Sequence, residues 1–204
     1  FTIRLLPNGD LDNTFGWGGK VVTDFAGQND QATGVHLQGN KIIVTGWAAT
    51  GVNNAGKQYA AVRYLANGQV DTSYGTNGKV MVPMGLEGDG NASVIQPDGK
   101  VVIAGRTLNS PRVFGVGVLR LTADGALDDS FATGGRMLTS FGPNIQTLQG
   151  LALQPDGKLV ATGNAQWGLY FDTTVLRLNP NGTLDGSFGN GGMLRINYSL
   201  DNDF

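Results

Sequence analysis

What most constrains this chain is that it repeats. Laid against itself, it returns one motif four times: Arg4-Leu-Leu-Pro-Asn-Gly-Asp-Leu-Asp-Asn-Thr-Phe-Gly16, Arg63-Tyr-Leu-Ala-Asn-Gly-Gln-Val-Asp-Thr-Ser-Tyr-Gly75, Arg120-Leu-Thr-Ala-Asp-Gly-Ala-Leu-Asp-Asp-Ser-Phe-Ala132 and Arg177-Leu-Asn-Pro-Asn-Gly-Thr-Leu-Asp-Gly-Ser-Phe-Gly189. The intervals are 59, 57 and 57 residues. A second motif keeps the same period, as Gln38-Gly-Asn-Lys41, Gln96-Pro-Asp-Gly-Lys100 and Gln154-Pro-Asp-Gly-Lys158, each followed by a β-branched run and a glycine. Two unrelated motifs held to one period describe a supersecondary unit that buries its apolar face only by stacking on its neighbours.

Within a unit the periodicity is that of strands. In the last unit, residues 148–154 alternate into the turn Pro155-Asp156-Gly157, and residues 158–163 return as a second strand, a hairpin signature. These are strands A and B; residues 173–178 read as strand C and residues 193–197 as strand D. Four antiparallel strands per repeat is the composition of a propeller blade, whereas a β-helix has shorter parallel rungs and no tight Pro-Asp-Gly hairpins. The 33 glycines and the low 15 % of charged residues suit such turn-rich β structure. The expected fold is therefore all-β, a β-propeller-like array of four-stranded antiparallel blades in about 3.5 repeats of 57–59 residues. The expected units are a half blade at 1–31 holding strands C and D, then blades at 32–90, 91–147 and 148–204, giving 14 strands.

The string Arg-Leu-x-x-x-Gly-x-Leu-Asp-x-Ser-Phe-Gly, then Gly-Gly-x-Val, then Leu-Gln-Pro-Asp-Gly-Lys, resembles the delta-60 repeat of large secreted bacterial proteins. The resemblance covers nearly the whole chain and implies a propeller-like module outside the cell, with no established activity. Departures are small: Tyr74 stands for Phe, Ala132 for Gly, and Gln38-Gly39-Asn40 is one residue short.

A net charge of -2 without a basic stripe argues against a nucleic-acid partner. With no cysteine there are no disulfides, thiolate nucleophiles or cysteine metal sites. No run reaches the roughly 18 apolar residues of a membrane helix, so no membrane insertion is expected. Phe1 opens directly into strand-like sequence, which suggests that the true N-terminus lies upstream. Because the opening unit has C and D but no A and B, the edge at residues 1–6 should invite strand addition, by further sequence or by copies of the chain.

Asp12, Asp71, Asp128 and Asp185, each two residues before Thr14, Ser73, Ser130 or Ser187, form the nearest thing to a carboxylate array. They could hold Ca²⁺, but an Asp before a hydroxyl residue in a Gly-rich connection reads first as a turn cap. Phe15, Tyr74, Phe131 and Phe188 read as plugs between blades, and the four arginines as ties between neighbouring connections. Trp17, on a C–D connection, reads as packing, and the lone His36 as a packed residue rather than a catalyst. Glu87-Gly-Asp89-Gly-Asn91 lacks the twelve-residue Ca²⁺ pattern, and no cofactor motif or catalytic signature is present.

Variation gathers elsewhere. The A–B and C–D turns are nearly copied between units, while the B–C segments (47–57, 106–112, 164–170) and the D–A loops differ, and both open on one face. Scaffolds that carry binding on loops show this pattern. Trp47, Asn53, Asn54, Arg112, Gln166, Trp167 and Tyr170 are the candidate binding residues, aromatic platforms among amide and guanidinium donors suited to a glycan or a protein surface. The expected function is a non-catalytic binding or adhesion module at the cell surface. The alternative is a structural building block of a surface layer or filament, joined through strand addition between copies.

Overall fold

The structure is a computed structural model describing residues 1–110, 113–142 and 144–197. It holds fourteen strands among these residues. β1 (Thr2–Ile3) and β2 (Lys20–Val21) form a two-stranded sheet. Three four-stranded antiparallel blades follow. The first comprises β3 (Asp30–Gln38), β4 (Lys41–Ala48), β5 (Gln58–Tyr64) and β6 (Lys79–Val82). The second comprises β7 (Glu87–Ile95), β8 (Val101–Ser110), β9 (Val113–Leu121) and β10 (Arg136–Thr139). The third comprises β11 (Gln146–Leu153), β12 (Leu159–Trp167), β13 (Tyr170–Leu178) and β14 (Met193–Ile196). Within each blade, consecutive strands pair in chain order, so the all-β blade array is the one expected.

One local expectation is overturned. In the second and third blades the segments read as B–C loops are largely strand among the described residues, because the B and C strands run on into long hairpins. In the third blade Asn164-Ala-Gln-Trp167 carries no turn chemistry before Gly168, whose φ of +59° sets the tip, so Trp167 still pairs with Tyr170. In the first blade the ladder stops at Ala48, where Thr50-Gly51 and Gly56 bracket a 3₁₀ turn at Val52–Asn54.

Alternation puts one face of each blade against the preceding blade and the other against the following one. Ile43, Tyr59 and Ala61 of the first blade meet Val101, Ile103, Leu119 and Leu121 of the second. Val102, Ala104, Val116 and Val118 on the second blade's other face meet Leu159, Ala161, Leu176 and Leu178 of the third. A smaller core of Val44, Val62 and Tyr64, with Val21 and Phe25 against it, joins the first blade to β2 and the loop after it.

Each innermost strand carries a bulge, at Thr33, Asn91 and Gln149. Two of these residues reach the next blade: Thr33 Oγ1 donates to Gly90 O at 2.8 Å, and Asn91 Nδ2 to Thr147 Oγ1 at 2.9 Å. The bulge also explains the glycine that closes the second sequence motif. At Gly46, Gly105 and Gly163 a Cβ would sit 1.8, 1.8 and 1.9 Å from a carbonyl oxygen of the bulged strand. The backbones approach too closely for any side chain.

A second device ties the blades at their C–D connections. Arg63 donates through Nε to Asp71 at 2.7 Å and through Nη2 to Ser73 at 3.1 Å, both within its own blade. Its Nη1 crosses to Ala123 O of the next blade at 2.8 Å. Arg120 repeats this with Asp128, Ser130 and, across the junction, Pro180 O at 2.7 Å. Arg4 does so with Asp12, Thr14 and Ala66 O. Each guanidinium lies over the aromatic ring of its own repeat, Phe15, Tyr74 or Phe131, at 4.6–4.9 Å. Those rings are fully buried against Gly68, Gly125 and Gly182 of the next blade, where a Cβ would meet ring atoms at 2.8–3.0 Å. The amides of Gly16, Gly75 and Ala132 complete the latch by donating to Asn67, Asp124 and Asn181 carbonyls at 2.7–2.8 Å.

These contacts give stability changes of opposite sign. Gly105→Ala drives a methyl into the Asp89 carbonyl and should cost about 3 kcal/mol or more. Ala132 holds a left-handed φ of +49° where its counterparts are glycine, so Ala132→Gly should stabilise by up to about 1 kcal/mol. Thermal unfolding of both variants beside the parent checks the pair.

Candidate functional site

The described candidate binding residues lie on the B–C hairpins of the first and third blades. Trp47 is half-buried on β4 with Lys57 Nζ 4.1 Å from its ring centroid. Lys57 is itself paired with Asp89 of the next blade at 3.0 Å, and Arg106 holds the other oxygen of that carboxylate at 2.5 Å. Asn53 and Asn54 occupy the 3₁₀ turn with φ of +57° and +64°. Asn54 Oδ1 accepts from Asn29 Nδ2 at 2.7 Å, so one amide is spent joining the hairpin to the adjoining D–A loop. Gln166, Trp167 and Tyr170 share the third blade's hairpin. Gln166 Nε2 donates to Gly168 O at 3.1 Å, which braces the tip. Trp167 has Arg195 over its ring at 4.2 Å, and Arg195 is ion-paired to Asp172. Arg112 lies outside the described residues.

The structure thus gathers Gln166, Trp167 and Tyr170 on one hairpin and Trp47, Asn53 and Asn54 on another. No hydrogen bond or ion pair joins the two sets among the described residues. A cation covers one face of Trp47 and one face of Trp167, and both rings are partly buried. What does stand open is apolar: Leu169 is 88 % exposed, Tyr170 60 % and Phe171 54 %, with Val113 and Val52 exposed at the other two hairpins. Sequence reasoning singled out Tyr170 but passed over its neighbours. The signal was the uninterrupted Leu169-Tyr170-Phe171 run at a hairpin tip.

Trp17 corrects a second expectation, being 92 % exposed rather than packed. Its counterparts Thr76, Thr133 and Asn190 are exposed as well, because this turn position points away from the blade in every repeat.

Each recurring carboxylate is engaged by donors of its own repeat. In each, Oδ1 accepts the amide and hydroxyl hydrogens of the Ser or Thr two residues on, at 2.6–3.2 Å. Oδ2 takes the arginine Nε and, in the three complete blades, Lys41, Lys100 or Lys158 at 2.7–3.3 Å. Lys41 and the Ser73 hydroxyl hold the Asp71 carboxyl well below the usual range. The Ser187 hydroxyl and Lys158 do the same for Asp185. For Asp128 burial pulls upward, but the Ser130 hydroxyl and amide, with Arg120, outweigh it and bring the pKa to about 2.

His36 on β3 meets Ser93 of the next blade, Nε2 to Oγ at 2.7 Å, and Thr45 Oγ1 lies 2.7 Å from the same Ser93 oxygen. No carboxylate is hydrogen-bonded to the imidazole among the described residues. Desolvation lowers the His36 pKa, the environment of a neutral ring bridging two blades.

The signs of two pH effects follow. A carboxyl with a depressed folded pKa contributes stability above its unfolded value, about 3.9, and loses it as pH falls through the folded value. The melting temperature should therefore fall between about pH 4 and 2, less steeply in Asp128→Asn. Protonating His36 disfavours the fold, so stability should also decline as pH drops below about 6.5, a step that His36→Gln should remove. Melting curves across pH test both. An acid transition unchanged in Asp128→Asn would contradict the first reading.

A family model described as a domain of unknown function (DUF5122) beta-propeller matches residues 40–74, 96–131 and 154–188. Each matched stretch runs from the A–B turn through strands B and C to the latch aromatic. No curated protein matches the chain.

Proposed function

The chain belongs to the DUF5122 β-propeller family, and on that footing we propose that it is a non-catalytic binding module that engages a protein surface through its B–C hairpin edge. The observation that carries this reading is the exposed Leu169-Tyr170-Phe171 tip. Apolar side chains on a rigid two-stranded hairpin offer area at low ordering cost, as interface anchors do. A protein partner suits this edge better than a glycan, because sugar stacking needs a free ring face and a cation occupies one face of Trp47 and one of Trp167, both partly buried. The resemblance to delta-60 repeats of secreted proteins supports a location outside the cell. The copied connections bear the latches and leave the hairpin edge free to vary, which supports placing recognition there.

The test is the triple variant Leu169→Ser, Tyr170→Ser, Phe171→Ser, probed on immobilised extracellular matrix proteins and on a glycan array. Removing exposed side chains should cost about 1 kcal/mol of stability or less, while a protein target bound by the parent should lose at least about 2 kcal/mol of affinity. Retention unchanged in the variant, or binding confined to glycans, would reject the assignment.

A further inference from the structure

Ion pairing sorts the cations of this chain. Among the described residues, every lysine and arginine side chain has a carboxylate within ion-pair distance except Lys20, Lys79 and Arg136. These three are not scattered. Each is the first residue of an outermost strand, β2, β6 or β10, at intervals of 59 and 57 residues, the spacing of the repeat itself. The third blade carries Met193 at this position, so the row runs along the first three repeats.

Each cation stands across a two-residue turn from a second exposed residue. Trp17 pairs with Lys20, Thr76 with Lys79 and Thr133 with Arg136. The amides of Trp17, Thr76 and Thr133 donate to the carbonyls opposite at 2.9, 2.8 and 3.2 Å. Directly opposed residues of an antiparallel pair present their side chains on one face. Every such turn therefore sets an aromatic ring or a hydroxyl beside a positive charge. Thr76 and Thr133 are exposed although their blades are packed on both sides. Trp17, at the same position, is 92 % exposed, and no cation covers its ring among the described residues.

Behind the turns of the first and second blades lie equivalent clefts that reach the next blade. One, of about 360 Å³, is lined by Thr76, Lys79, Met81 and Gly125; the other, of about 330 Å³, by Thr133, Arg136, Leu138 and Gly182. Both fall in the size range of small-ligand clefts. Lys79 Nζ donates to the Asp24 carbonyl and stands 5.7 Å from the Phe25 ring centroid. Arg136 Nη1 donates to Gly134 O of its own turn at 3.3 Å, and its Nε has no acceptor among the described residues. Neither charge is met by a carboxylate, and Arg136 keeps a donor that the fold does not use.

We propose that this outer rim of the C–D edge binds an anionic polysaccharide, one carboxylate-bearing sugar at each turn. Lys79 and Arg136 carry the proposal, pairing with the carboxylates while the clefts behind them take the sugar rings. Lys20 continues the row, with the open ring of Trp17 beside it for stacking. A repeating polymer suits a repeating surface, since each exposed ion pair is weak alone and a chain that engages several at once gains through effective concentration. One cation per blade is too sparse for a nucleic acid, whose closely spaced phosphates call for clustered cations. An acidic peptide would bring carboxylates but no sugar ring for Trp17 and no hydroxyl-rich face for the threonines. The rim is independent of the hairpin-edge reading, whose residues it does not use.

Titration calorimetry of the chain with polygalacturonate at low and high salt tests this, with methyl-esterified polygalacturonate and poly-L-glutamate for comparison and circular dichroism reporting the fold. The parent should bind polygalacturonate, lose affinity as salt rises, and ignore the methyl ester, which keeps the sugar backbone without its charge. Lys79→Gln combined with Arg136→Gln should weaken binding by about tenfold or more, the effect of losing about 1.4 kcal/mol. Trp17→Ala should weaken it with the salt dependence unchanged, and the Leu169, Tyr170 and Phe171 triple variant should bind as the parent does. Should the double variant melt early, Lys20→Gln, an exposed side chain, must show the loss instead. No binding of polygalacturonate at low salt overturns the proposal. So does affinity retained by the folded double variant, equal binding of the methyl ester, or loss in the hairpin variant. Poly-L-glutamate bound as tightly as polygalacturonate would overturn it in favour of an acidic peptide.

Discussion

A guanidinium withdrawn from water must place its N–H groups on acceptors, because a buried charge with one unmet partner costs more than its pairing returns. Arg63 and Arg120 meet that demand by dividing their donors between two blades. The division makes three jobs inseparable. The carboxylate that pairs with Nε caps the turn that positions the aromatic ring, and the ring needs a next-blade glycine without a Cβ. The carbonyl that completes the guanidinium belongs to that same next connection. A repeat therefore satisfies its own polar groups only when a neighbour is present, the polar counterpart of an apolar face that also needs a neighbour to be buried.

How legible this was in sequence depends on how local each cause is. The hairpin turns, the strand alternation and the repeat period are set by neighbouring residues, and the blades were visible from them. The Asp and Ser of the latch act within one turn, and the arrangement of their hydrogen bonds was open to reading from spacing. The next-blade partners Ala66, Ala123 and Pro180 were not, because they contribute backbone carbonyls that any residue type supplies. The bulge glycines were seen as recurring, but their reason lies across the strand in a carbonyl that no sequence pattern marks. The hairpin lengths were missed for a related reason. The stretch from Asn164 looks irregular because Asn164 and Ala165 are poor strand formers, yet the ladder continues until Gly168 supplies turn geometry. Trp17 was misread because residue type suggested packing where backbone position dictates exposure.

The two edges of the array obey different rules as a result. On the C–D side, guanidinium, carboxylate, hydroxyl, ring and glycine form a closed set in which changing one member strands the others. On the B–C side each hairpin is joined to its surroundings by contacts particular to its blade: Asn29 with Asn54 in the first, Asp89 with Lys57 and Arg106 in the second, Asp172 with Arg195 in the third. Such contacts stiffen a hairpin without prescribing its tip. The tip residues are thereby free to differ, and in the third blade they expose an apolar run that the packing of the blades does not require.

Nearest-neighbour construction also sets where the array is weakest. Stability in such a chain is a sum of blade terms and junction terms, and a blade with one junction holds on by half the contacts of a blade with two. Among the described residues the β1–β2 unit has the fewest strands, the smallest core and one junction. Its Asp12 has Arg4 but none of the lysine pairing that the A–B turn supplies to Asp71, Asp128 and Asp185. Its side chains Ile3 and Leu5 are nonetheless of the kind that every other C strand buries, and its turn keeps a left-handed glycine, Gly9, with nothing within 4 Å of where a Cβ would be. A unit that is locally weak yet retains all the residues of a contact surface gains most from being covered, since each junction formed on it satisfies carbonyls and apolar side chains that otherwise face water.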